Sequence, residues 1–178
     1  MYDIKQLVAL ENELRQTIRS KFVDFFAAHD YTTDSKSVIS RSVSSLSDVA
    51  ALHYGTGLYV IMSDYQSEKK KCRLIVDGLK AIYRGHSYRV KGRIKSHLFN
   101  DHYPSNLPAG GVRYDVCMKL DDKNGINVSD QPYSNYRWCV VVYKMKGSSK
   151  MIREQAEHAF DEVFGRPLGS KEAGQADT

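Results

Sequence analysis

"GLYVIMSDY" at 57–65 and "AIYRGHS" at 81–87 decide how this chain is read. The first is an apolar run that opens on Gly57 and carries Tyr59, and it reads as a buried strand. The second is short and hydrophobic again, with Tyr83 close to Gly85. Two tyrosines, each near a glycine, fall on neighbouring strands just ahead of a segment rich in arginine and histidine. Such a layout is expected of the two halves of one active site.

That segment holds most of the chain's charge asymmetry. The 178 residues carry a net charge of +5, and from Gly78 to Asn100 there is no acidic residue. Lys80, Arg84, Arg89, Lys91, Arg93 and Lys95 all fall within it. Clustered cations point to a polyanionic partner, although a solvated basic helix face would read the same way. The helix predicted over 87–99 carries Val90, Ile94 and Leu98 as its apolar stripe, with Ser87 as a cap. Arg93 and His97 are spaced i, i+4 on one flank of that stripe.

Helical spacing also runs through residues 3–29, where Ile4, Leu7, Val8, Leu14, Ile18, Phe22, Phe25 and Phe26 recur. Core packing and dimerisation both suit such a helix. Residues 34–47 hold seven serines and no clear period, so a loop is expected. Strands are predicted at 57–63, 73–77 and 80–84, then at 112–120 and 136–145. Ser148 or Ser149 caps a last helix that runs to about Phe164 and is stopped by Gly165 and Pro167. On that helix Ile152, Ala156, Ala159, Phe160, Val163 and Phe164 share a face. At about 100° per residue, Glu157 lies at the border of the face, whereas Glu154 points away from it. A border carboxylate can reach a cleft.

Taken in order, these motifs resemble the GIY-YIG nuclease family, closest in layout to its restriction-endonuclease branch. "GLY" (Gly57, Leu58, Tyr59) and "YRG" (Tyr83, Arg84, Gly85) stand for its two strand motifs. "SYRVKGRIKSHL" supplies the helix arginine, Arg93, and the histidine one turn later, His97. "EHAFDEVFGRPLGS" supplies the metal-binding glutamate, Glu157, with Pro167 and Ser170 after it. The chain departs from the family pattern in three places. Tyr59 and Tyr83 are 24 residues apart, farther than in the compact family core, so "SEKKKCRLIVDG" is added structure. Arg84 replaces isoleucine, and Ser170 stands where asparagine is expected.

The resemblance implies a metal-dependent DNA endonuclease that hydrolyses phosphodiester bonds. Glu157 would hold one Mg²⁺ (or Mn²⁺), Arg93 would stabilise the transition-state phosphate, and Tyr59 would be the general base or its relay. Tyr83 would place the water or a phosphate, and His97 would share proton transfer. Arg84, His86, Arg89, Lys91 and Lys95 are the expected nucleic-acid contacts.

The predicted architecture is α+β, a small mixed or antiparallel sheet flanked by helices with an N-terminal helical extension. Residues 1–50 form the N-terminal helix and serine-rich connection, 51–170 the nuclease-like core, and 171–178 a flexible tail. DNA is the expected partner, with a homodimer if both strands are cut. Two other readings stay open: a single-strand- or structure-specific nuclease, and a non-catalytic basic module that binds nucleic acid. No apolar run reaches the ~18–20 residues of a membrane span, and no secretory signal is visible. Three scattered cysteines form neither a disulfide framework nor a CxxC zinc site. A cytoplasmic setting is therefore expected.

Overall fold

The computed structural model describes residues 3–65, 71–99, 118–120, 123–124 and 126–170. Helix α1 spans Ile4–Ala28 and opens with a capping box, in which Asp3 and Gln6 each accept the other's backbone N–H. Strand β1 (Val38–Ser42) and the short helix α2 (Leu46–Ala50) follow. Strands β2 (Gly57–Ser63), β3 (Ile75–Val76) and β4 (Leu79–Ser87) lead to helix α3 (Val90–Phe99). A small hairpin of β5 (Lys119–Leu120) and β6 (Lys123–Asn124) precedes β7 (Trp138–Lys144) and the last helix, α4 (Lys150–Phe164).

Five strands form one antiparallel sheet in the order β1-β7-β2-β4-β3. The α+β architecture is therefore as expected, and the sheet is wholly antiparallel. Alternation along the strands sends Leu58, Val60, Met62, Val141 and Tyr143 to the face covered by α1 and α4. Tyr59, Ile61, Val140 and Val142 go to the other face, where Val90, Ile94 and Leu98 of α3 pack. Phe26 locks α1 onto its side, with edge-on ring contacts to Tyr143 at 5.2 Å and Phe160 at 5.7 Å.

The serine-rich stretch is not a loop. Val38 to Ser42 pair with Tyr143 to Cys139, so the division placed at residue 50 falls inside one sheet. An edge strand buries few side chains: here only Val38 and Ile39 are buried, and the intervening serines dilute the apolar signal. Strand β4 also runs three residues beyond its predicted end, and α3 begins at Val90 rather than Ser87. The strand predicted over 112–120 lies outside the described residues except for Met118 to Leu120, and so does the 171–178 tail.

The added segment between the tyrosine motifs serves the α4 side. Cys72 and Leu74 are buried in that core, while Arg73 donates from its backbone to the Phe164 carbonyl (2.7 Å) and from its side chain to that of Val163 (2.7 Å). Asp77 and Gly78 turn the chain into β4 with φ of 51° and 78°, as a two-residue hairpin requires.

One irregularity places the second tyrosine. Ile61 pairs with Tyr83 but Met62 pairs with Ala81, so Ile82 is an extra residue on β4. Beyond this bulge Tyr83 joins Ile82 on the α3 face, whereas unbroken alternation would have left it with Ala81 on the α4 face. The bulge is held from outside: Gly169 donates to the Ile82 carbonyl (2.8 Å), and Ser170 Oγ accepts from Arg84 N–H (2.7 Å). Among the described residues no helix is long and apolar enough to cross a membrane.

Candidate active site

Tyr59, Tyr83, Arg93 and His97 come together on the α3 face. Tyr59 Oη lies 2.8 Å from His97 Nε2, and the Tyr83 ring packs against both, 6.1 Å from the Tyr59 centroid and 4.3 Å from that of His97. The other imidazole nitrogen, Nδ1, accepts the Met118 backbone N–H at 2.9 Å. A neutral imidazole that accepts at Nδ1 carries its proton on Nε2. His97 therefore donates to Tyr59.

Burial, together with Arg93, holds His97 well below the ordinary histidine range, so it is neutral. With one nitrogen protonated and the other occupied by a backbone N–H, it is poorly placed to accept a proton. Burial, seconded by Tyr83, pushes the Tyr59 phenol well above 10, while Arg93 opposes that shift. Both are buried, Tyr59 at 1% exposure and Tyr83 at 8%, so Tyr83 is the more exposed of the two.

Both motif glycines are close-approach positions. A Cβ on Gly85 would stand 2.8 Å from Tyr59 Oη and 3.0 Å from the Tyr83 ring, and a Cβ on Gly57 would stand 2.4 Å from the Tyr143 carbonyl oxygen. Gly85 faces Tyr59 across the β2–β4 ladder, which leaves room for the phenol.

Glu157 lies on the opposite, α4, side of β4. Its Oε1 accepts from Arg84 Nη1 at 3.2 Å, and Asp161, one turn along, takes Arg84 Nε and Nη2 at 3.0 and 2.6 Å. Glu157 turns inward, whereas Glu154 faces Arg15 of α1 at 3.8 Å. His86 brings Nε2 to 4.0 Å from Glu157 Oε2, and its Nδ1 accepts from Arg153 Nε at 3.3 Å. Burial, with Arg153, Lys150, Arg84 and Arg93, pushes His86 down to about 4, so it too is neutral. Arg93 thus acts electrostatically on both clusters, across the edge of β4.

The expected basic stripe is broken up. Arg84 is buried and held by two carboxylates, and so cannot act as a surface phosphate contact. Arg93 is buried beside Tyr59. Lys91 donates to the Ala50 carbonyl, and Lys95 is half-buried. Arg89 is exposed at the start of α3. Lys80 sits seven positions before Ser87 on β4, about 23 Å away at the rise of a strand.

Sequence reading missed Asp161, Arg153 and the Met118 backbone. Arg153 was within reach of it, being one helical turn before Glu157 and so on the same face. Nothing local marks the Met118 N–H.

As for a metal, no group of three or more His, Cys, Asp or Glu that could cage an ion occurs among the described residues. Glu157 already accepts from Arg84, and its side chain is 7% exposed. These residues form no all-protein cage; a hydrated Mg²⁺ held through the single Glu157 carboxylate would complete its shell with water and substrate oxygens. Comparison of the chain with protein-family models, curated proteins and solved structures finds no match.

Proposed function

We propose that the chain is a divalent-metal-dependent DNA endonuclease that hydrolyses phosphodiester bonds, of restriction type, acting as a homodimer where both strands are cut. The observation that carries this reading is the Tyr59–His97 hydrogen bond, with its donor fixed by Met118 and with Tyr83 and Arg93 beside it. Hydrolysis needs a deprotonated water and relief of charge on the attacked phosphate. His97 Nε2–H and the Arg93 guanidinium both stabilise negative charge on Tyr59 Oη, as a phenolate relay requires. On this reading Tyr59 first loses its proton to bulk water. Tyr83, the more exposed phenol, then takes a proton from the attacking water as it passes its own to the Tyr59 phenolate, which returns it to the leaving oxygen. Mg²⁺ or Mn²⁺ at Glu157 would supply Lewis acidity to a phosphoryl oxygen.

A second reading, a non-catalytic nucleic-acid-binding module, is favoured by one observation: Arg84 already sits on Glu157. Incubating purified protein with labelled single- and double-stranded DNA in Mg²⁺, Mn²⁺ or EDTA separates the two. Metal-dependent cleavage that is lost in Tyr59→Phe is the expected result. Binding without cleavage in either metal would establish the second reading instead.

A further inference from the structure

Arg153 touches the candidate site only through His86, and it is the largest fully buried side chain among the described residues, at 0% exposure. Its guanidinium donates to the Ser148 carbonyl, to Ser148 Oγ at 3.2 Å and to His86 Nδ1 at 3.3 Å. All of these acceptors are uncharged. Among the described residues no carboxylate lies within ion-pair distance of it, and Nη2 is buried with no hydrogen-bond partner. A buried cation without an anion and an orphaned buried donor are both costly, and an anionic ligand would satisfy both.

An exposed aromatic ring stacks on the guanidinium. The Tyr88 ring lies 3.9 Å from Arg153 Cζ, and Tyr88 is itself 62% exposed. It stands in the chain between β4 and α3. The exposed ring thus lies against the guanidinium that carries the unpartnered Nη2. A guanidinium beneath an exposed aromatic ring suits a nucleotide, whose phosphate takes the N–H groups and whose base stacks on the ring. The position also suits it: Arg153 is one helical turn before Glu157 and touches His86, which faces Glu157.

We infer that Arg153 and Tyr88 form a phosphate subsite, in which Arg153 Nη2 binds a backbone phosphate next to the one attacked at Glu157 and Tyr88 moves off to stack on its base. The inference rests on the nuclease reading for its substrate, DNA. It goes beyond that reading in assigning a second binding position to residues with no catalytic part.

Binding tests it without any cleavage step. A fluorescein-labelled oligothymidylate, titrated in EDTA, should bind Arg153→Gln roughly tenfold more weakly than the unaltered protein. The slope of log affinity against log salt should shrink by about one. An unchanged affinity and slope would overturn the subsite while leaving the nuclease reading intact. Failure of the unaltered protein to bind any DNA would remove the nuclease reading itself.

Because Arg153→Gln alters a buried residue, the exposed Tyr88→Ala variant provides a second test. Phenylglyoxal, which modifies exposed arginines, should label Arg153 in Tyr88→Ala but not in the unaltered protein. Bound oligothymidylate should block the labelling, and inorganic phosphate at the same concentration should not. An Arg153 that stays unreactive in Tyr88→Ala, reacts equally with DNA present, or is protected equally by inorganic phosphate would overturn the assignment.

Discussion

His97 donates to Tyr59 rather than accepting from it, because the Met118 N–H occupies the other nitrogen of the imidazole. On the nuclease reading the histidine is thus a positioning residue and the phenol carries the proton. Tyr59→Phe should lower the cleavage rate by roughly 10²-fold or more, as loss of an acid–base group does, with DNA affinity unchanged. It should also lower the melting temperature, since Nε2–H is left buried without an acceptor at a cost of about 1–3 kcal/mol. A variant that cuts at the normal rate would remove Tyr59 from the chemistry.

Stability should fall on mild acidification. His97 is neutral in the fold, surrounded by Tyr59, Tyr83, Arg93 and the Met118 N–H, and burial holds it well below its unfolded value near 6.5. Below that value the unfolded chain binds a proton that the folded chain refuses. The stabilisation is therefore complete above about pH 6.5 and is lost as the pH falls, by at most about 1.4 kcal/mol per pH unit for each such histidine. His86 and His158, both lowered as well, act in the same direction. Urea denaturation between neutral and mildly acid pH should show this slope, and His97→Gln should flatten it. Equal slopes for the two proteins would mean that His97 is protonated in the fold.

Arg84 is shared by two carboxylates. Asp161 accepts from its Nε and Nη2 and Glu157 from its Nη1. On the nuclease reading Asp161 is the structural partner and Glu157 the metal ligand. Glu157→Gln should abolish cleavage while leaving the fold and DNA binding nearly intact, because Asp161 still compensates the buried arginine. Asp161→Asn should destabilise the protein more than Glu157→Gln does. Full turnover in Glu157→Gln, with none in Asp161→Asn, would reverse the assignment.

Much of this site is legible in the sequence where it depends on short-range periodicity. Arg93 and His97 share a helix flank and Glu157 turns inward, as their spacing on α3 and α4 requires. The two tyrosine motifs also fall on neighbouring strands, as expected. What stayed hidden depends on distant partners. The bulge at Ile82 carries no residue signature, yet it alone brings Tyr83 beside Tyr59. Arg84 looks like a surface cation until Asp161, 77 residues later, folds against it. Strand β1 escaped notice for a different reason: only Val38 and Ile39 are buried in it, too few to outweigh the surrounding serines.

Of the cations in the acid-free stretch, Arg89 is the exposed one beside the site, and Lys80 lies at the far end of β4. Arg89→Gln should reduce the magnitude of the log–log salt slope for DNA binding by about 1, the value for one phosphate contact. Lys80→Gln should leave it unchanged. Equal reductions from both would mean that DNA follows the whole length of the strand.

The dimer prediction rests on the length of α1. Its 25 residues extend about 38 Å and the 15 residues of α4 about 23 Å, so roughly ten residues have no helix beneath them. Phe22 and Phe26 are used in the core, but Ile4, Leu7, Val8 and Leu14 are 80%, 53%, 53% and 50% exposed. These four recur at helical spacing, so the projecting end presents one apolar stripe. A second copy offers the same stripe, and two-fold pairing buries both at once. On the nuclease reading one centre attacks one phosphate at a time, and such a pair would bring two centres to a duplex. Sedimentation with duplex DNA should show a dimer that Leu7→Glu and Val8→Glu dissociate. The dissociated protein should nick DNA but make no concerted double-strand breaks. A strictly monomeric complex of the unaltered protein that still makes such breaks would defeat the prediction.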